Sequence, residues 1–165
     1  MKIIVRIIQF LVGGLFIFSG FIKAVDPLGT SYKMHDYFSA FQTDWPAFKV
    51  LWDFMSTYST QLAVFMLVFE LALGLALIIG WKNKFTLWMI LALMLSFTFL
   101  TGYTYLSGYT MGHWYSPSTW VFNEKDMKVT DCGCFGDFIK LKPYTSFYKD
   151  VVLDFLILLL LIGHK

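Results

Sequence analysis

An all-α integral membrane protein, a four-transmembrane-helix bundle made as a single domain over residues 1–165, is the fold class that the sequence predicts, on three observations. The chain is 58% hydrophobic and only 15% charged, whereas an ordinary soluble domain carries about 25% charged residues. What charge there is lies in short stretches between long apolar runs. A hydrocarbon core of about 30 Å takes about 20 apolar helical residues to cross, and runs near that length recur at about 3–23, 61–80, 85–103 and 147–163.

The first run, "IIVRIIQFLVGGLFIFSGFI", contains Arg6 and follows Lys2, so a secretory signal peptide is the competing interpretation. The run is longer than a signal h-region, continues into Lys23 and Asp26, and lacks an A-x-A site, which predicts a retained helix. Only "WKNK" separates the second run from the third, a connection short enough to make them antiparallel neighbours. The fourth run holds Asp154, and Pro143 ahead of it delimits a helix start. The long connections, about 24–60 and 104–146, are not empty linkers. The first spaces Tyr37, Phe41, Trp45, Phe48 and Trp52 at helical intervals, with Pro46 after Asp44 as a second helix start. Tyrosine and tryptophan favour the water–lipid boundary. Short amphipathic helices lying at the interface are therefore expected, or a lid packed over the bundle.

Lys2, Arg6, Lys82, Lys84 and Lys165 fall on one side of the predicted spans with no acid among them. The positive-inside rule then puts both termini and the "WKNK" turn in the cytoplasm of a bacterial inner membrane, and both long connections on the periplasmic side. Membrane lipid is the first partner. A net charge of +2 and a single arginine give no basic stripe, so no nucleic-acid partner is expected.

Both cysteines stand in "DCGCFG", residues 131–136. A bridge between Cys132 and Cys134 requires a tight turn, since the Cα atoms of a disulfide lie within about 7 Å. Gly133 and Gly136 supply that freedom around Asp131, Phe135 and Asp137. So small a loop removes little chain entropy, which makes a poor clip, whereas strained or exposed disulfides are the labile, catalytic ones. Lys128 and Lys140 favour the thiolate while Asp131 and Asp137 oppose it. Two plainer alternatives stand beside a redox pair. The thiols are simply reduced and buried, or they ligate zinc with His113 and His35, for which the spacing is poor; no metal is expected. His113, beside Trp114, is a candidate acid or base for thiol exchange, or else a solvated loop histidine.

Further residues carry a family resemblance. "FIFSGFIKAVDPLGT", residues 16–30, resembles the first helix of the DoxX family. "FELALGLALIIG", residues 69–80, followed later by "CGCFGD", resembles its MauE branch, the membrane protein of methylamine-utilisation clusters. The resemblance implies a four-helix inner-membrane bundle, broadly like the quinone-linked disulfide-forming membrane proteins. It also implies redox or maturation work, a quinone as cofactor and a periplasmic thioredoxin-like partner. A methylamine substrate does not follow from it. Disulfide-generating membrane enzymes relay electrons through two cysteine pairs, and this chain has one. Its pair would have to react directly with a quinone, with a partner supplying the second dithiol.

Charges inside a membrane are costly and face the bundle interior with a partner. Glu70, near the middle of the second run, is expected to bond Ser19, Ser96 or Thr98, either as a packing device or as the proton-handling group of a quinone site. Asp154 approaches the same depth, and Lys23 closes the first helix, where it would bind a headgroup or a quinone oxygen. Together these residues predict a thiol–disulfide redox protein, possible as an oxidoreductase or as a subunit of one. The alternative is a non-catalytic anchor or assembly subunit of a periplasmic complex. A small-molecule transporter ranks behind both, because few intramembrane polar groups are available to form a pathway.

Overall fold

The computed structural model of the protein describes residues 2–81, 83–107, 109–110, 121–122, 129 and 142–163. Four long helices, α1 (Lys2–Val25), α4 (Ser59–Ile79), α5 (Asn83–Ser107) and α6 (Pro143–Gly163), coincide with the four apolar runs. Between α1 and α4 the chain forms α2 (Pro27–Asp44), a single 3₁₀ turn (Pro46–Phe48) and α3 (Lys49–Thr57). After α5, two-residue strands β1 (Tyr109–Thr110) and β2 (Val121–Phe122) pair antiparallel, Tyr109 opposite Phe122.

Local chemistry sets several of these boundaries. Pro27 opens α2, and the Asp26 carboxylate caps it by accepting a hydrogen bond from the Gly29 amide at 2.9 Å. α4 stops at Gly80, whose φ of 81° is left-handed and lets the Gly80 and Trp81 amides turn back to the Ala76 carbonyl. The helix begun at Pro143 starts a full turn earlier than its apolar run, because Tyr144 to Ser146 continue it without being greasy.

Three helices, within Val5–Val25, Ser59–Ile79 and Lys84–Ser107, are long and apolar enough to cross a membrane. α6 has the same length as α4 but carries Lys149, Asp150 and Asp154. All four long helices feed one core, represented by Phe16, Leu77, Ile90 and Ile157. Polarity outside that core is inverted relative to a soluble protein. Phe10, Leu11, Phe18, Phe65, Phe155 and Ile162 point outward, while Lys23, Glu70, Thr101, Thr104 and Asp150 are buried. So large an exposed apolar surface belongs in lipid. The protein is a multi-pass membrane protein.

The most extensive packing pairs α1 with α4 and α5 with α6, and α4 and α5 meet less closely despite their short turn. α1 and α4 cross at glycine. A Cβ on Gly74 would stand 3.0 Å from the Gly13 carbonyl oxygen, and one on Gly13 would stand 2.7 Å from Ile78. In lipid, where burial gives little drive, such close backbone approach is a main source of helix association. α2 is longer than the short interfacial helix expected and packs on α4, burying Tyr37, Phe38 and Phe41. α3, by contrast, buries none of its side chains fully.

Candidate functional site

Two polar centres sit inside the bundle. In the first, the Lys23 ammonium donates to the Glu70 carboxylate at 2.6 Å and to the Ser19 hydroxyl at 3.3 Å, and lies 4.4 Å from the centre of the Phe97 ring. Both charged side chains are only 3% exposed. Lys23 therefore points inward from the last turn of α1 and does not reach a headgroup. Glu70 is bonded to Lys23 and not to any of the three hydroxyls expected for it. Ser96 bonds its own helix at the Ala92 carbonyl, Thr98 bonds Asp154, and Ser19 accepts from the lysine. The acid and base neutralise each other, and Phe97 covers the ammonium with its electron-rich face.

The second centre follows α5. Thr98, Thr101 and Thr104 recur every three residues, and the latter two are completely buried. Thr98 donates to Asp154 of α6 at 2.6 Å, and Thr104 shares a 2.6 Å bond with Tyr37 of α2. The other oxygen of Asp154, Oδ1, is buried and has no partner among the described residues. Asp150, one turn earlier and 1% exposed, pairs with Lys149 at 3.1 Å. Near the C-terminal end of α5 the Tyr103 phenol donates to the Asp44 carboxylate at 2.5 Å.

The Thr98 and Tyr103 hydroxyls both border one groove of about 450 Å³, lined by Asp44 and Trp45 from the end of α2 and by Thr98, Phe99, Gly102, Tyr103, Leu106 and Ser107 of α5. Asp154 lies behind Thr98 and is not part of the lining. The groove walls are aromatic: Trp45 stacks on Phe99 at 6.3 Å and 22°, and Tyr103 stands edge-on to Phe41 at 4.9 Å. A Cβ added at Gly102 would come within 3.2 Å of the Phe147 ring in α6. A second groove of about 320 Å³ runs between α2, α3, α4 and α5 and is lined by Met34, Met55, Met66 and Met89 with Phe65, Phe69 and Ser96. Glu70 lines neither groove.

Above the first groove, Phe38, Phe41, Trp45, Trp52 and Tyr103 form an aromatic cluster joining α2, α3 and α5. Val129 is 4% exposed within it. Asp131, Cys132, Gly133, Cys134, Phe135, Gly136, Asp137 and His113 lie outside the described residues. Among the described residues, no three His, Cys, Asp or Glu side chains gather as a metal would require.

Of the predicted site residues, the structure brings Lys23 and Glu70 together and sets Asp154 apart from them, on Thr98. Sequence reasoning noted Asp44 only as the residue ahead of the Pro46 helix start and Tyr103 only as the end of the third run. Nor did it give Thr98 its own role, although the three-residue threonine repeat was a usable signal. The family model described as Methylamine utilisation protein MauE matches residues 1–111, which takes in α1 to α5 and ends before the cysteine pair. Neither a curated protein nor a solved structure matches the chain.

Proposed function

The chain belongs to the family of the methylamine utilisation protein MauE, and we propose that it works as an inner-membrane thiol–disulfide redox protein of that family, with its termini in the cytoplasm and Cys132 and Cys134 on the periplasmic side. On this proposal α6 is the fourth span, its charged residues turned into the bundle. Asp150 is buried and Asp154 is bonded to α5, so neither carboxyl needs to face lipid.

The observation that carries the proposal is the burial of Val129 in the outer aromatic cluster. Cys132 follows three residues later, and three residues reach at most about 11 Å. The partner is a periplasmic thioredoxin-like protein, or a protein under maturation, that exchanges one dithiol for one disulfide with the pair. Oxidation of Cys132 and Cys134 to the disulfide releases two electrons and two protons, and reduction takes up the same number. A bound quinone supplies a two-electron, two-proton acceptor at that point. The residues fit one: the groove lies within the membrane-spanning length of α5, has aromatic walls and offers hydroxyls.

The test is the thiol state of Cys132 and Cys134 in native membranes, read as an alkylation mass shift after acid quench. A disulfide fraction that rises with oxidised quinone and falls on quinone depletion is expected. A state indifferent to the quinone pool, with Cys132→Ser leaving function intact, assigns the protein to the anchor or assembly role instead.

A further inference from the structure

α5 lays Phe99, Gly102 and Leu106 along the floor of the aromatic groove. Thr98 and Tyr103 are separated by five residues, which places them about 140° apart around the helix and about 7.5 Å apart along it. One hydroxyl therefore stands on each edge of the floor, at a different depth. Each is hydrogen-bonded to a carboxyl from a different neighbour, Thr98 to Asp154 of α6 and Tyr103 to Asp44 of α2. A groove in a membrane helix bundle with flat aromatic walls and two separated hydroxyl–carboxyl couples matches few ligand chemistries. The match is a flat apolar ring with a hydrogen-bond acceptor at each end, each of which takes up a proton when the ring is reduced.

We propose that this groove is the quinone ring site, in which the Tyr103 and Thr98 hydroxyls each donate to one of the two ring carbonyls and the Asp44 and Asp154 carboxyls stand behind them as proton sources. The assignment rests on the quinone-linked redox function proposed above. A hydroxyl has one proton to donate and lone pairs with which to accept. In the structure both hydroxyl protons go to the carboxyls. Quinone binding therefore requires each carboxyl to be protonated and to donate to its hydroxyl, which frees the hydroxyl proton for the carbonyl. The buried, partnerless Oδ1 of Asp154 suits this arrangement, because an ionised carboxylate there would bury a charged oxygen with no donor. Two-electron reduction of the ring forms two O–H bonds, one at each carbonyl. The electrons come from the Cys132–Cys134 dithiol as it closes to the disulfide, and the two thiol protons replace those that the carboxyls deliver. Thr98 and Tyr103 touch the substrate; Asp154 acts through Thr98 as a positioning and proton-supplying residue.

The experiment uses the full chain in lipid nanodiscs and decylubiquinone labelled with ¹³C at its carbonyls. Tryptophan quenching reads binding, the infrared carbonyl stretch reads hydrogen bonding, and thiol-driven reduction reads turnover. Bound quinone is expected to quench the protein and to show two lowered carbonyl stretches. Thr98→Val and Tyr103→Phe should each return one stretch toward its free value and weaken binding about two- to tenfold, the worth of one hydrogen bond. Turnover should fall about 10²–10⁴-fold, the usual worth of general acid catalysis. Thr98→Ser should restore both readouts. Asp154→Asn should slow turnover and alter its pH profile while Asp154→Glu recovers it, which a merely structural aspartate would not produce. Leu106→Trp, filling the groove, should abolish quenching. The site assignment falls if decylubiquinone does not quench, if filling the groove leaves quenching intact, or if neither hydroxyl variant moves a carbonyl stretch. Failure of the redox function itself is separately visible: quinone would bind with both stretches lowered, yet Cys132→Ser would not change turnover.

Discussion

Glu70 and Asp154 occupy equivalent places in their helices, eleven residues after the first and nine before the last, about 16 and 14 Å from the two ends. The bundle treats them in opposite ways. Glu70 meets a full positive charge, and the pair is capped by a hydroxyl and an aromatic face. Asp154 meets a single hydroxyl, keeps one oxygen without a partner among the described residues, and adjoins a groove through Thr98. A carboxylate held by a full positive charge from the neighbouring helix ties the two helices together. A carboxyl left incomplete beside a cavity is available for chemistry. Equal position along a helix therefore does not mean equal role.

The largest effect should come from breaking the complete pair. Lys23→Met or Glu70→Leu alone leaves an uncompensated buried charge and should destabilise the protein by about 3–5 kcal/mol, read from unfolding in mixed micelles or from abundance in membranes. The double variant should recover most of that loss, since a neutral apolar pair of similar volume is tolerated. Single variants no worse than the double one would show that the two residues do not act as a unit.

Next in size is the helix crossing that carries this pair. Gly74→Val would push a branched side chain against the Gly13 backbone, and overpacking of that kind costs about 1–3 kcal/mol. Gly14, with nothing within 4 Å of an added Cβ, is the control, and Gly14→Ala should be neutral or slightly stabilising. Equal losses at the two positions would mean that the tight α1–α4 approach does not hold this side of the bundle together. A smaller effect is expected where α4 turns toward α5. Gly80→Ala forces a side chain into left-handed backbone, at about 1 kcal/mol in thermal unfolding.

The smallest stability change should appear on the incomplete side. Hydrogen bonds between membrane helices average about 0.6 kcal/mol, so Thr98→Val should barely move the unfolding midpoint. It would still remove the hydroxyl that bonds Asp154 Oδ2 and borders the groove. A large loss of stability in Thr98→Val would make the Thr98–Asp154 contact a structural lock like Lys23–Glu70 and erase the contrast between the two carboxyls.

Much of the architecture was legible in the sequence. Each apolar run becomes a helix because lipid offers no partner for a free backbone amide, and within one run only a helix satisfies them all. Pro27, Gly80 and Pro143 mark boundaries by local chemistry that needs no tertiary contact. Sequence reasoning also singled out Glu70, Lys23 and Asp154, and sought a partner inside the bundle for Glu70 alone. Their partners were not legible. Lys23 finds Glu70 across 47 residues, Thr98 finds Asp154 across 56, and Tyr103 finds Asp44 across 59. Which side chain a buried charge meets depends on how each helix is rotated and how closely it approaches its neighbour. In this chain, glycines at the α1–α4 crossing and the seating of α2 against α4 make those choices. Hydrophobicity is a property of each run by itself, so it determined the helices. Pairing is a property of two surfaces in contact, so only the packed bundle decided it.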